Sequence, residues 1–549
     1  MTVFIFLGSL LGAMALGIPI AYSLLVCGVA LMWHMDLFDA QILAQNVVNG
    51  ADSFPLLAVP FFMLAGEIMN VGGLSRRIVK LAMTLVGHVR GGLGYVAILA
   101  AVLMAALSGS AVADTAALAA LLLPMMAAAG HDKARAGGLL ASAGIIAPII
   151  PPSIGFVIFG VAANVSIGKL FLAGIVPGLL MGVSIALTWW YVARKENVTP
   201  PPKATGAEKM KALRDSTWAL VLPVIVLVGL KFGVFTPTEA AVVAAVYALF
   251  VSTVVYREMH LRDIYLVFVA AARTTAVIMF LVAAAMVSAW LITVADIPSQ
   301  MIGLLQPFMD SPTLLLVMIM LLVMAVGTAM DMTPTILIMT PVLMPVVKAA
   351  GIDPVYFGVL FIMNNAIGLV TPPVGTVLNV VAGVGKMKMD AVTRGVIPFM
   401  LAEFAVMFLL VLFPSIVTGP ARWLANRRLA NRLIDCFPHP VSHSIQETSM
   451  KRLMIKTVLA AAALAIAGVA AAQEKTFKFG LQNPKGHPLE MGAVKFAELV
   501  AAKSGGRLKV NVFAGGVLGG DAANVSALQG GTIEVLMLNS GIQIGRAHV

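Results

Sequence analysis

From residue 1 to about residue 420 the chain is a near-continuous series of apolar segments split by short loops. The first 33 residues contain no Lys, Arg, Asp or Glu, and Gly17-Ile18-Pro19 divides them into two short helical stretches. Across all 549 residues, 60% are hydrophobic and 11% charged, and the mean hydropathy is +0.99. A soluble domain carries roughly 25% charged residues. A globule of this size cannot hide that much apolar side chain from water, so most of the chain belongs in a lipid bilayer. Intrinsic disorder, a coiled coil and nucleic-acid binding are excluded. The net charge of +11 then reflects Lys and Arg gathered in cytoplasmic loops. Cys27 and Cys436 are too few and too far apart for a disulfide framework or a thiolate metal site.

The basic residues orient the segments. A third apolar segment, 54–69, is followed by Arg76, Arg77, Lys80 and Arg90, which marks a cytoplasmic loop. Segment 91–126 is broken at Ser108-Gly109-Ser110 and followed by Lys133 and Arg135. Basic flanks on one side predict a re-entrant helical hairpin; two full spans with a tight outer turn satisfy the same charges. Residues 136–163 then cross outward and 170–192 return. The stretch 194–216, rich in Lys and Arg and holding Pro200-Pro201-Pro202, reads as a cytoplasmic linker between membrane units 1–193 and 217–420. In the second unit, 217–233, 238–256 and 275–294 alternate. The broken segment 312–347 lacks basic flanks on both sides, as expected of a hairpin opening outside, and 355–384 returns.

A repeat emerges at a shift of 221 residues. Pro124 meets Pro345, Gly130 meets Gly351, Asp132 meets Asp353, Pro151-Pro152 meets Pro372-Pro373, Gly174 meets Gly395 and Pro177 meets Pro398. Four of five prolines coincide in these windows, where random placement gives roughly one half. The charges give the two repeats opposite topology. Inverted repeats with broken helices are the build of secondary transporters, with substrate and ion sites near the midplane. The expected fold is therefore an all-α polytopic membrane protein of two inverted repeats, each with a re-entrant hairpin and a broken transmembrane helix.

The sites are expected where backbone is freed inside the membrane: Ser108-Gly109-Ser110, Pro151-Pro152-Ser153, Gly327 to Pro334, and Thr371-Pro372-Pro373-Val374-Gly375. Proline removes a donor and breaks the ladder. Freed carbonyls must be buried in protein or line a cavity. With nearby hydroxyls they form an oxygen set suited to a hard cation such as Na⁺, while helix N-termini suit an anionic substrate. A packed Pro-Pro kink is the bland alternative for each break. Asp114 and Asp331 follow the two tips and serve either ion coupling or helix capping. Asn364 and Asn365 are ligands or interhelical hydrogen-bond donors. Glu67, Glu239 and Glu403 are read as interfacial, and the 33 methionines as core packing. The eight His are scattered and no convergent catalytic set is visible, so an enzyme is not expected. A passive channel has no need of paired broken hairpins.

Together these features resemble the large membrane subunit of the tripartite ATP-independent periplasmic (TRAP) transporters, within the ion-transporter superfamily. The matching text is 53–62 (SFPLLAVPFF), 108–113 (SGSAVA), 150–154 (IPPSI), 235–241 (FTPTEAA) and 368–375 (GLVTPPVG). The resemblance implies a multi-pass protein of the bacterial inner membrane and Na⁺-driven uptake of organic acid anions by an elevator motion. C4-dicarboxylates, sialic acid and related carboxylates are the substrate class. It implies a small four-helix membrane subunit and a periplasmic solute-binding protein as partners, and no cofactor beyond Na⁺ as coupling ion. Carried onto this chain, Na⁺ would be held by Ser108, Gly109, Ser110, Pro151, Ser153, Gly327, Thr328, Asp331, Gly368, Thr371 and Gly375. Ser110, Pro152, Asn365, Pro372 and Pro373 would lie beside the substrate. The alternative is a carboxylate or anion symporter of the same superfamily working without a binding protein.

The character changes after about residue 420. Arg422, Arg427, Arg428 and Arg432 open a segment, 421–449, read as a non-native linker. Residues 450–472 have a basic start, an apolar run and Ala470-Ala471-Ala472, the anatomy of a signal peptide; a final transmembrane helix is the alternative. Residues 473–543 read as β-α-β and resemble the start of a TRAP solute-binding protein, notably at Lys478-Phe479-Gly480 and Phe513-Ala514-Gly515-Gly516. Residues 544–549 read as translated sequencing adapter. An adjacent-gene fusion is expected. Long-read sequencing of the locus should resolve two neighbouring genes; one uninterrupted gene with a single full-length product would sink the idea.

Overall fold

In the computed structural model, residues 2–194, 198, 202–309, 311–328, 330–425, 475–481, 488–504, 508–515 and 535–537 are described. The chain divides into two units, 1–438 and 439–549. The first is all helical. Thr2–Ala15 (α1) and Ile20–His34 (α2) are separated at Gly17-Ile18-Pro19, as a left-handed glycine (φ +82) and a helix-starting proline dictate. Ala40–Ala51 (α3) is capped by Asp39, whose carboxylate accepts from the Gln41 and Ile42 N–H groups. Ala58–Val71 (α4) and the amphipathic Leu74–Val86 (α5) follow. Gly92–Ser108 (α6) and Ala111–Ala128 (α7) form the first hairpin. Lys133–Gly144 (α8) and Ile154–Ala163 (α9) are the halves of a broken helix, and Ile167–Ala193 (α10) closes the first repeat.

The second repeat runs through Gly206–Phe232 (α11), Pro237–Phe250 (α12), Leu261–Val294 (α13) and Ile297–Leu305 (α14). The second hairpin is Pro312–Gly327 (α15) and Met332–Ala349 (α16). The second broken helix is Pro354–Gly368 (α17) and Thr376–Gly385 (α18), followed by Met389–Leu412 (α19) and Ser415–Ala425 (α20). Among the described residues, eight helices are long and apolar enough to cross a membrane.

The 221-residue shift carries α7 onto α16 residue for residue, and α8 onto the start of α17. Asp132 and Asp353 cap these last two helices alike. Pro151-Pro152 and Pro372-Pro373 are both cis. The hairpin arms have 16 to 18 residues, about 24–27 Å at 1.5 Å per residue, short of a bilayer core of roughly 30 Å. Ser108 at the first tip is buried, and Gly109 lies against Pro152 and Ser153 in the middle of the first broken helix. A tip inside protein rather than in water decides for a re-entrant hairpin over two full spans.

Several boundaries differ from expectation. The basic stretch after residue 74, read as a loop, is α5: Leu74, Ile78, Leu81 and Ala82 are buried while Arg76 and Lys80 face outward. Helix α11 begins at Gly206 inside the expected linker, because Thr205 and Glu208 form a reciprocal capping box. Helix α13 starts at Leu261, not 275. Helices α3 and α14 were not anticipated, and α20 continues beyond residue 420. Residues 426–474, with the signal-peptide segment, and 544–549 lie outside the described residues.

Helices α2, α3 and α4 pack on α13, α4 on α12, and α5 on α11. Arg76 and Arg77 each pair with Glu258 at 2.6 Å, and the Arg77 guanidinium lies 3.6 Å over the Tyr256 ring. A second cluster joins α7 to α8 and α18, and α8 to α19. At the α8–α19 crossing the backbones touch: a methyl on Gly138 would meet the Gly395 carbonyl carbon, and one on Gly395 would meet the Ala134 carbonyl. Small residues permit such close helix approach in membranes. Glu403, expected at an interface with solvent, is fully buried within α19 beside Ser142 of α8.

In the second unit, Lys475–Leu481 (β1), Pro488–Lys503 (α21), Leu508–Phe513 (β2) and Val535–Met537 (β3) form a parallel sheet of order β2-β1-β3. Phe479, Leu481 and Ala493 make its core, with Phe496 edge-on to Phe479 at 5.9 Å. This is the expected β-α-β.

The α8–α19 contact yields a test. Gly395→Ala should destabilise by about 1–3 kcal/mol, the usual cost of overpacking, and lower the melting temperature in detergent. Gly383→Ala, where a methyl meets nothing within 4 Å, should leave it unchanged. Equal melting of both variants contradicts the packing described.

Candidate functional site

Each hairpin tip meets the break of its own repeat. In the first, Gly109 has φ +62, and its Cα faces the Pro152 carbonyl so closely that no side chain fits. Ser108 Oγ donates to the Asp114 carboxylate, and the Ser110 N–H donates to Ser108 Oγ at 3.2 Å. Ser110 caps α7 by accepting from the Ala113 N–H. Ser153 caps α9 by accepting from Phe156 N–H at 3.3 Å, and it donates to the Pro148 carbonyl. Pro151 and Pro152 carry the chain between α8 and α9.

In the second repeat a methyl on Gly368 would lie 2.9 Å from the Gly327 carbonyl oxygen. Thr328 Oγ1 donates to Ala325, and Thr371 Oγ1 to Ile367, both at 2.8 Å. Gly375, at φ +45, starts α18, and Pro372-Pro373 precedes it. Asp331 stands at the N-cap position of α16, and Thr376 Oγ1 donates to its carboxylate at 3.3 Å. The repeat equivalent of Asp331 is therefore Ser110, not Asp114; Asp114 corresponds to Thr335. The two aspartates are not a matched pair.

Among the described residues, Asp114 Oδ2, Asn364 Oδ1 and Asn365 Oδ1, buried near these junctions, have no hydrogen-bond partner. The amide nitrogens of the asparagines are committed, Asn364 to Met320 at 2.6 Å and Asn365 to Phe361 at 2.8 Å. Buried oxygens without donors are costly and form the kind of set that a hard cation satisfies.

Both tips open onto one cavity of about 490 Å³. Of the expected residues, Gly109, Ser110 and Asp331 line it; Pro152, Asn365, Thr371, Pro372, Pro373 and Gly375 do not. First-turn residues of three helices face it: Ala111–Ala113 of α7, Ile154 of α9 and Met332–Pro334 of α16. First-turn N–H groups have no intrahelical acceptor, and the helix dipole adds positive potential. Among the described residues no Lys, Arg or His lines the cavity. The rest of the lining, which sequence reasoning missed, includes Met63 and Glu67 of α4 and Thr274, Val277, Ile278 and Leu281 of α13. Glu67 was read as interfacial; it faces this cavity. Its one signal was its position as the sole charge within a long apolar run, 54–74.

Comparison with known proteins agrees with this architecture. Residues 7–416 match the family described as tripartite ATP-independent periplasmic transporter, DctM component. Residues 479–546 match bacterial extracellular solute-binding protein, family 7, reaching three residues into the stretch read as adapter. The chain is 59% identical to the 2,3-diketo-L-gulonate TRAP transporter large permease of Escherichia coli K12, over 77% of this chain and all of that protein. It is 40% identical to the sialic acid TRAP transporter large permease of Vibrio cholerae, over 74% of this chain and 95% of the relative. It is 37% identical to the C4-dicarboxylate TRAP transporter large permease of Pseudomonas aeruginosa, over 70% and 90%. These relatives are permeases, not enzymes. The crystal structure of the Alcanivorax borkumensis YdaH transporter shares the fold, with a TM-score of 0.53 at 16% identity, over 70% of this chain and 91% of that one. With hairpins, broken helices and family match coinciding over the same residues, the chain belongs to the TRAP transporter large permease family, multi-pass proteins of the inner membrane.

Proposed function

We propose that this chain is the permease of a Na⁺-coupled uptake system for an organic acid anion delivered by a periplasmic binding protein. The observation that carries this reading is the single cavity between both hairpin tips, faced by three helix N-termini. The N-termini receive the carboxylate. The donor-less oxygens of Asp114, Asn364 and Asn365, with carbonyls and hydroxyls at Ser108–Ser110, Pro151–Ser153, Gly327–Thr328, Gly368, Thr371 and Gly375, supply ligands for Na⁺. Cation charge beside the tips offsets the anion where no basic side chain stands.

The two groups of helices, one holding α2–α5 with α11–α13 and the other holding the hairpins and broken helices, suit an elevator motion. A small four-helix subunit then covers exposed apolar surface of the fixed group. The 59% identity to a 2,3-diketo-L-gulonate permease over its full length supports a sugar-acid-like substrate. The family 7 match at residues 479–546 supports the gene-fusion reading and delivery by such a protein.

Proteoliposomes holding the permease with its small subunit and binding protein should accumulate substrate only under an inward Na⁺ gradient. Accumulation without the gradient, or none with it, refutes the coupling. Ser110→Ala and Thr371→Ala should each raise the Na⁺ concentration for half-maximal uptake by about tenfold, the effect of roughly 1.4 kcal/mol. Unchanged Na⁺ dependence in both removes those residues from the ion site.

A further inference from the structure

The cavity is chemically lopsided. The first turns of α7, α9 and α16 face it; serine caps take the Ala113 and Phe156 N–H groups and Asp331 that of Met332, and the first-turn N–H groups left without an intrahelical acceptor suit one carboxylate. The part of the lining from α4 and α13 carries Glu67 and Thr274 among Met63, Val277, Ile278 and Leu281. Asp331, the other acid in the lining, already accepts from Thr376. Glu67 has no hydrogen bond or ion pair among the described residues, and no basic side chain in the lining offsets it. Arg273, next to Thr274 in sequence, is exposed on α13 and is not part of the lining.

An ionised carboxylate only accepts hydrogen bonds. A second carboxylate brought to this wall meets like charge at low dielectric and finds no donor but Thr274. A hydroxyl brought to the same wall donates to Glu67 and is satisfied. Sites built to hydrogen-bond a substrate hydroxyl discriminate strongly against analogues that leave the buried group unpaired.

Resting on the transport reading above, we propose that Glu67 is the specificity-determining residue of this cavity. It selects a polyhydroxylated monocarboxylate, held by its carboxylate at the helix N-termini and by its hydroxyls at Glu67, and rejects a C4-dicarboxylate. Glu67 belongs to α4, which packs mainly with α12 and α13 and touches the first hairpin through Gly66 against Ser108, so selection is exerted beside the hairpin tip.

The test is equilibrium binding of D-gluconate and succinate to the full chain in lipid nanodiscs, at saturating Na⁺, read by isothermal calorimetry. The wild type should bind gluconate at least about tenfold tighter than succinate. In Glu67→Gln, an isosteric neutral change, succinate should gain until the ratio falls below about threefold. Glu67→Asp keeps the charge and should still reject succinate; melting curves of each variant confirm that it is folded. Equal wild-type affinities, an unchanged ratio in Glu67→Gln, or acceptance of succinate by Glu67→Asp would each overturn the proposal while leaving the transport reading intact. If neither acid binds the wild type at any Na⁺ concentration, the transport reading fails, and the proposal with it.

Discussion

Backbone N–H and C=O groups have no water to turn to in the hydrocarbon core, and the structure is organised around that constraint. Four times the chain breaks a helix at membrane depth, and each hairpin tip is covered by backbone of its repeat's broken helix. Gly109 sits on Pro152 and Ser153, and Gly327 sits on Gly368. Serines finish the work where backbone does not reach: Ser110 and Ser153 each cap the helix that resumes after a break. Because hairpin tip and broken helix cover one another, they form a unit whose parts cannot be exposed separately. The covering is incomplete at the donor-less oxygens of Asp114, Asn364 and Asn365 and at the cavity between the tips, which is where the proposed ion and substrate sites lie.

The same constraint explains why the proposed anion site needs no arginine. A basic side chain at midplane must itself be desolvated, at considerable cost. Helix N-termini deliver positive potential from groups already fixed by the fold. Three of them face the cavity, and in the proposed function a coupling cation supplies the remaining charge. Charge on the cavity wall is then informative, because so little of it is present: among the described residues only Glu67 and Asp331 are charged in a mostly apolar lining.

Breaks are what the linear chain shows best. Proline, glycine and serine at membrane depth are visible without a structure, and their recurrence at a constant offset of 221 residues needs only arithmetic. The surface-lying helices were harder to see. In α5, Arg76, Arg77 and Lys80 interrupt the apolar residues, so the stretch reads as a loop until one face is seen to be buried. The acids were misjudged for a related reason. Position within a segment says how deep a carboxylate lies but not which neighbour it faces; Glu403 turned out to be sealed against α8 and Glu67 to face the cavity.

The sequence by itself determined the membrane class, the repeat, the four breaks and the composite nature of the chain, because each is encoded in local composition or in a fixed spacing. Only the tertiary structure decided that the hairpins are re-entrant, that the two tips share one cavity, and that α4 and α13 complete its lining. Those facts depend on which helix faces pack together. In a bilayer, where nearly every face is apolar, the pattern of hydrophobic residues does not distinguish a face turned to lipid from one turned to protein.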